Sequence, residues 1–169
     1  MKKLVLSIMV FCIGTMLFSQ EKFTCPNGHF KATFPSKVEA KIDKSTQDGN
    51  AITLRNYLGQ ESSNIIYMVS VSEFPENHFG DMKNDKTKIL DNAAEGFFGS
   101  LKIKQENRKE IKSGKIKGLE FSTNDNGYYL TYRVYVTPEK LFQVAVLGVE
   151  ELPNKKKKDK FFKSFKILN

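Results

Sequence analysis

Apolar and polar residues alternate with a period of two through much of this chain, but one stretch has the spacing of a helix instead. This change of period restricts the possible folds more than any other feature. Between residues 84 and 101, apolar side chains recur at three- and four-residue spacing, which is typical of an amphipathic helix: Ile89, Leu90, Ala93, Ala94, Phe97, Phe98 and Leu101. On both sides of this stretch, short apolar runs alternate with polar residues and are separated by turn signals, which indicates strands. The order predicts an α+β fold.

The remaining elements are predicted from the same patterns. Asn84 or Asp85 is expected to cap the long helix. Asn126-Gly127 predicts a tight hairpin, because both residues accept a positive φ. A short helix is expected from Pro153 to Phe165. Strands are predicted before the long helix at 28–34, 38–42, 51–58 and 65–74, and after it at 103–111 as an edge strand, 115–122, 128–136 and 141–149.

The N-terminal residues have the three parts of an export signal. Lys2 and Lys3 precede an apolar run of about 15 residues at 4–18, and small Ser19 follows. The run is shorter than the ~20 residues that a membrane-spanning helix needs. We therefore expect residues 1–19 to be a cleaved signal peptide, and 20–169 to be one domain in the periplasm or outside the cell. Cleavage would lower the formal charge from +8 to +6.

The cysteines and histidines do not predict a metal site or a disulfide framework. Only Cys25 would remain after cleavage, so no internal disulfide is expected. Cys25 and His29 are separated by three residues and are both types of zinc ligand, but a structural zinc site needs four ligands. We expect no bound metal, and the role of Cys25 stays open.

Catalytic motifs are also missing from the sequence. It contains no phosphate-binding glycine loop, no Gly-x-Ser-x-Gly and no His-Glu-x-x-His. We therefore predict a protein that is not an enzyme and uses no cofactor. A hydrolase with acids from separate strands remains the alternative, since two catalytic carboxylates can come from distant positions. That alternative predicts a deep cleft in which two carboxyl groups have displaced pKa values.

A run of lysines is the most conspicuous charged feature. It is a candidate contact for phospholipid head groups, lipopolysaccharide, nucleic acid or an acidic partner. In the simpler interpretation the lysines are the solvated face of the C-terminal helix, and Phe161, Phe162 and Phe165 turn towards the sheet. The residues are Lys155, Lys156, Lys157, Lys158 and Lys160.

A second candidate surface lies on the strand predicted at 128–136. Tyr129, Arg133 and Tyr135 alternate onto one side of it. Tyrosine and arginine are enriched where proteins recognise partners, because rings supply contact area and a guanidinium supplies directed bonds. The same residues are also expected beneath a covering helix, with the phenols reaching its rim.

The succession of apolar anchors resembles the PsbP-like superfamily, whose fold is shared with the Mog-type Ran-binding import factors. The matching pieces run through nearly all of residues 20–169: Phe30-Lys-Ala-Thr-Phe-Pro35, the 67–75 strand ending in Phe-Pro, the Leu90-Asp91 helix start, 114–120 (GKIKGLE), Tyr132-Arg-Val-Tyr135, Leu141-Phe-Gln-Val144 and Phe161-Phe-Lys-Ser-Phe165. The resemblance implies an antiparallel sheet sandwiched by helices and a non-enzymatic accessory role, and it transfers no site residues.

These observations together predict an exported, non-enzymatic binding or accessory protein with an unknown envelope or extracellular partner. The alternative to a protein partner is a peripheral envelope protein that binds anionic membrane surfaces through its lysine-rich C-terminal helix. Nucleic acid is not the expected partner, and the export signal excludes the interpretation of the lysine run as a nuclear-targeting sequence.

Overall fold

The computed structural model describes residues 20–47, 50–76, 78–79 and 85–168. The predicted signal peptide, residues 1–19, and Asn84, one of the two predicted helix caps, lie outside this part of the chain. Within it the chain forms ten strands and two helices. In order they are β1 (Glu21–Thr24), β2 (Phe30–Phe34), β3 (Glu39–Gln47), β4 (Asn50–Ser62), β5 (Ile65–Glu73), α1 (Lys86–Leu101), β6 (Lys109–Ser113), β7 (Ile116–Asp125), β8 (Tyr128–Val136), β9 (Lys140–Val149), α2 (Lys155–Ser164) and β10 (Lys166–Ile167).

A seven-stranded antiparallel sheet forms the centre of the fold, in the order β3-β4-β5-β9-β8-β7-β6. β5 and β9 lie next to each other in its middle and are buried on both faces, as their continuous apolar runs predict. β7 and β8 are joined by the predicted hairpin, where Asn126 and Gly127 have φ values of 49° and 77°. This turn sets the register that places alternate β8 residues on opposite faces.

Helix α1 covers one face of this sheet and contacts β7 and β8. The Asp85 side chain accepts a hydrogen bond from the Lys88 backbone N–H at 3.0 Å and caps the helix, as predicted. The buried stripe also follows the prediction and consists of Ile89, Leu90, Ala94 and Phe98. These side chains pack on β8 residues such as Tyr132 and Val134, so this face is a conventional helix-on-sheet core.

The opposite face carries two elements, α2 and a second, three-stranded sheet in the order β1-β2-β10. Aromatic rings fill the space between the layers. The Phe161 ring, for example, lies 5.1 Å from that of Phe34 and 5.2 Å from that of Tyr67, measured between ring centroids. Burying such side chains stabilises the fold by about 1.5–3 kcal/mol each.

The structure differs from the sequence prediction at several elements. A single sheet was expected, whereas β1 and β10 add the small second sheet, and both strands are too short to show a periodic pattern. β6 is an edge strand of the large sheet, as predicted, but its predicted bounds of 103–111 are wrong, because it spans Lys109–Ser113. Ile103 is buried directly after α1 and Asn107 has a φ of 49°, so the chain cannot run extended before Lys109.

The lengths and compositions of the two described helices show whether either could span a membrane. Neither α1 nor α2 is long and apolar enough to cross a bilayer.

Candidate functional site

Helix α2 orients the predicted lysines. The Asn154 side chain caps it by accepting from the Lys157 backbone N–H at 3.2 Å. Phe161 and Phe162 are buried against the sheet layers, and Phe165 follows them into the same core. Because the aromatic residues take the inner side at the C-terminal end of the helix, the lysines at its N-terminal end are left facing outwards.

The five predicted lysines are not equivalent. Lys155 and Lys156 are exposed. The Lys157 Nζ lies 3.2 Å from a Glu61 carboxylate oxygen, and Lys160 contacts the Gln20 side chain. Lys158 is half-buried at a small depression of about 220 Å³. Lys157 is therefore partly neutralised, whereas Lys156 and Lys160 form no salt bridge among the described residues, although Asp159 lies beside them on the helix.

The predicted recognition residues are divided between two places. The Tyr135 side chain is 1% exposed and its ring stacks 5.7 Å from that of Phe165. Arg133 donates to Glu120 at 2.6 Å, and its guanidinium carbon lies 4.4 Å above the Phe162 ring. Both residues lie beneath α2, as in the covered arrangement considered above. Tyr129 is further along β8 and borders the same depression as Lys158.

A groove of about 490 Å³ opens between α2 and the β6–β7 hairpin. The largely buried side chains of Tyr135, Phe162 and Phe165 form its floor. Its cationic residues are Lys112, Arg133, Lys163 and Lys166. At one end, the Ile167 N–H donates to the Ser113 Oγ at 3.4 Å, which links β10 to the hairpin. We call this space the basic groove. It combines a buried aromatic floor with four positive charges.

The groove is part of a larger positively charged area, which we call the basic surface and define as Lys31, Lys156, Lys160, Lys163 and Lys166. Lys166 pairs with Lys31 on the neighbouring strand. Lys156, Lys160 and Lys163 follow one another along one face of α2 and line a shallow depression with Asp159. Lys163 borders both this depression and the basic groove, so the five lysines form one continuous surface.

Comparisons with known proteins identify the fold. No protein-family model matches the sequence, and no curated protein matches it significantly. The solution structure of cyanobacterial PsbP (CyanoP) from Synechocystis sp. PCC 6803 superimposes with a TM-score of 0.57. The match covers 92% of this chain and 96% of that chain at 14% sequence identity. The chain has a PsbP-like fold. At this identity the likeness shows the fold alone, and it confirms the predicted antiparallel α+β architecture.

The PsbP-like fold also places Cys25 and His29, the residue types considered for a metal. The Cys25 Sγ shares a hydrogen bond with the Tyr57 hydroxyl at 3.1 Å, and both side chains are buried. His29 instead hydrogen bonds to the Glu73 carboxylate. The two side chains therefore have different partners, and the described residues contain no group of three or more Cys, His, Asp or Glu that could hold a metal ion.

Glu73 is the centre of a partly buried polar cluster between the two sheets. Arg55 donates to both of its carboxylate oxygens, at 3.1 and 3.4 Å, and His29 provides a third contact. Burial alone would raise the pKa of the Glu73 carboxyl, but the hydrogen bonds from Arg55 and His29 outweigh it and the pKa is lowered. The cluster joins the β1–β2 turn to β4 and to the end of β5 in the large sheet, and it has the contacts of a structural clamp.

Sequence reasoning missed the basic groove, although it found some of its residues. Lys163 and Lys166 follow the lysine run, but nothing in their spacing places them beside Arg133. They come together because β10 pairs with β2 and turns the chain end across the mouth of the groove. The residue types of Arg133 and Tyr135 indicated part of this site, since both were already candidates for recognition.

Proposed function

We propose that this PsbP-like chain is an exported, non-catalytic accessory protein that binds an acidic partner protein through the basic surface. The observation that carries the proposal is the position of the lysines on α2. The positive end of a helix dipole lies at its N-terminus, so cations in the first turn destabilise a helix by about 0.3–1 kcal/mol each. α2 begins Lys155-Lys-Lys-Lys158 and has no acid in its first turn.

Two further pairs of like charges are also unfavourable for folding. Lys156 and Lys160 are four residues apart on one helix face, where like charges repel. Lys31 and Lys166 are directly opposite each other on adjacent strands, which is also unfavourable. Within the basic surface, Lys163 in the last turn of α2 is favourably placed for the helix dipole, whereas these two like-charged pairs oppose folding. An acidic partner gains faster association and a defined orientation from this concentration of charge.

The non-catalytic part of the proposal is supported by the state of the carboxylates on this side of the sheet. Glu61, Glu73 and Glu120 each have a basic partner, namely Lys157, Arg55 and Arg133. Each of these carboxylates is therefore paired with a basic side chain. Acid–base hydrolysis instead uses two carboxyl groups whose environments separate their pKa values. Export is supported by the pattern of residues 2–19 described above.

The test is a pull-down from envelope extract with tagged residues 20–169, at low and high salt. We expect a partner that is captured by the wild type and lost from Lys156→Ala/Lys160→Ala/Lys163→Ala. The control, Lys86→Ala/Lys88→Ala/Lys104→Ala, removes the same charge from exposed positions in and after α1, and should capture the partner normally. Circular dichroism establishes that both variants are folded.

Three results would contradict the proposal. One is equal loss of capture by both variants, which would mean that net charge alone is responsible. Another is the absence of any partner that distinguishes the variants. The third is binding of the wild type to vesicles containing anionic lipid, with the same variant dependence and no captured protein, which would make the chain a peripheral membrane binder.

A further inference from the structure

We infer that β3 is a dimerisation edge, along which a second copy of this chain adds its own β3 in the antiparallel direction. The inference concerns a different part of the molecule from the basic surface and does not rest on the proposed function. β3 lies at one end of the seven-stranded sheet, and among the described residues β4 is the only strand that pairs with it. An edge strand of nine residues offers a row of unpaired backbone groups to another chain.

The unpaired groups belong to the even-numbered residues of β3. Gln47 and Asn50 pair across a connection of two residues, so this closing pair is hydrogen-bonded within the hairpin. Successive residues of a strand direct their backbone groups to opposite sides. The odd-numbered residues therefore bond to β4, and the groups of Ala40, Ile42 and Lys44 point outwards. The free edge begins after Val38, whose N–H already donates to the Glu21 carboxylate at 3.1 Å.

The charges of β3 favour one register for a symmetric pair. With the twofold axis on Ile42, each Ile42 faces its counterpart, while Lys41 and Asp43 of one copy face Asp43 and Lys41 of the other. Opposite charges directly across adjacent strands are favourable. In the two neighbouring registers the axis passes through Lys41 or through Asp43, which would place two lysines or two aspartates opposite each other. Only the register centred on Ile42 avoids like charges among these three.

The side chains needed for this contact are accessible. Ile42 is 53% exposed, and its apolar surface would be covered by the second Ile42. Lys41 and Asp43 are exposed and form an ion pair at 3.3 Å within one copy, so two such pairs would meet at the axis. The two lysines and two acids of β3 sum to zero, although the whole chain carries +8. Two copies can therefore approach at this edge with less repulsion than elsewhere.

The other edge of the sheet is less suitable for a second copy. β6 has five residues, Lys109–Ser113, and its central Ile111 packs against the core. One end of β6 is also occupied, because the Ser113 Oγ accepts a hydrogen bond from the Ile167 N–H. β3 therefore offers the longer and less obstructed run of free backbone groups.

Pairing along β3 would also determine where the two basic surfaces lie. Residues that face each other on adjacent strands point to the same side of a sheet, so the twofold axis is perpendicular to the sheet. Each copy carries α2 on the same face. The dimer would therefore present two basic surfaces towards one side, an arrangement that strengthens binding to a partner with repeated acidic sites.

Cysteine cross-linking tests the register directly. In residues 20–169, Cys25 is the only native cysteine and is 2% exposed. Ile42→Cys would place two thiols on the axis, where the Cα atoms are about 5.5 Å apart and within reach of a disulfide. Oxidation by dissolved oxygen with a copper–phenanthroline catalyst should therefore give a covalent dimer on a non-reducing gel.

The matched control is Thr46→Cys, which changes another exposed residue of the same strand. In the proposed register, residue 46 faces residue 38 of the other copy. The two introduced thiols would then be eight residues apart along the strands, or about 26 Å. We expect no covalent dimer from this variant.

Charge exchange tests the same register without oxidation, by sedimentation equilibrium. Asp43→Lys would place lysines opposite each other at two points and should weaken the dimer about tenfold or more. Lys41→Asp/Asp43→Lys restores the opposite charges and should recover wild-type dimerisation. Glu110→Lys makes the same charge change as Asp43→Lys at an exposed position on β6, and should leave the dimer unchanged. Circular dichroism establishes that each variant is folded.

Four results would overturn the inference. The first is a wild-type chain that stays monomeric up to about 1 mM, the weak end of specific association. The second is equal cross-linking of Ile42→Cys and Thr46→Cys. The third is a failure of the exchanged pair to recover the dimer. The fourth is a dimer lost in Glu110→Lys and kept in Asp43→Lys, which would assign the contact to β6.

Discussion

The two helices pack on opposite faces of one sheet and neither has an acid in its first turn, but they differ in how many lysines begin the helix and in how much of the helix is buried. α1 has an Asp85 cap followed by two lysines, Lys86 and Lys88, and buries a stripe from Ile89 to Phe98. α2 begins with four consecutive lysines and buries only Phe161 and Phe162, near its C-terminal end. The buried stripe of α1 is explained by folding, whereas the four lysines that begin α2 oppose folding. Residues that oppose folding are where function is expected.

The largest expected effect concerns the buried rings that hold the two helices. Phe98 is 1% exposed beneath α1, and Phe161 is 0% exposed beneath α2. We expect Phe98→Ala and Phe161→Ala each to lower the free energy of unfolding by about 3–5 kcal/mol, because each leaves a cavity. Urea denaturation measures this loss.

The same two variants test whether partner binding depends on α2 and not on α1. Below its unfolding temperature, Phe161→Ala should capture less of the acidic partner, because α2 loses its anchor to the sheet. Phe98→Ala should capture normally when folded. Comparable capture by the two variants would mean that the basic surface does not depend on how α2 is seated.

An intermediate effect is expected from the ion pairs, which also differ between the two faces. Glu73 and Arg55 have side chains that are only 25% and 17% exposed, while Asp91 and Arg108 on the α1 side are 44% and 42% exposed. Glu73→Gln should cost about 1–2 kcal/mol, since it weakens hydrogen bonds to a charged group and leaves Arg55 underpaired. Asp91→Asn should lower the free energy of unfolding by less than about 1 kcal/mol. At high salt the effect should disappear, because salt screens this exposed ion pair.

The pH dependence of stability tests the contribution of Glu73. The pKa of Glu73 is lowered on folding, so its contribution is fully present above its ordinary pKa of 4.5 and is lost as the pH falls below that value. Thermal unfolding of Glu73→Gln should therefore depend less on pH in the acidic range than that of the wild type. Parallel pH curves would show that the Glu73 cluster does not clamp the two sheets.

Much of the fold could be predicted from the sequence, because long elements carry repeating signals. The helix stripe ending in Phe98, the alternation of β8 and the Asn126-Gly127 turn each have a local physical cause, and the structure confirms all three. β1 and β10 have four and two residues, too few for a period to be recognised. Their pairing with β2 depends on contacts across the whole chain.

The candidate site was less predictable for the same reason. The lysines, Arg133 and Tyr135 were identified by residue type alone. Their arrangement was not, because Tyr135 is buried by Phe165 and the groove exists only when β10 lies beside β2. Residue chemistry is local information, whereas a concave surface is a product of the tertiary fold.

The smallest expected change in stability gives the most direct test of the central claim, that the lysines of α2 serve binding at the expense of folding. Lys156→Glu and Lys88→Glu each place an acid in a helix first turn that has none. Each should raise the free energy of unfolding by about 0.3–1 kcal/mol. The two variants carry the same net charge, so they differ only in which helix is changed.

Partner capture by these two variants, measured side by side with their thermal unfolding, is the decisive measurement. We predict that both variants are at least as stable as the wild type and that only Lys156→Glu loses the acidic partner. Equal loss of capture by both, or unchanged capture by Lys156→Glu, would contradict a binding role for α2.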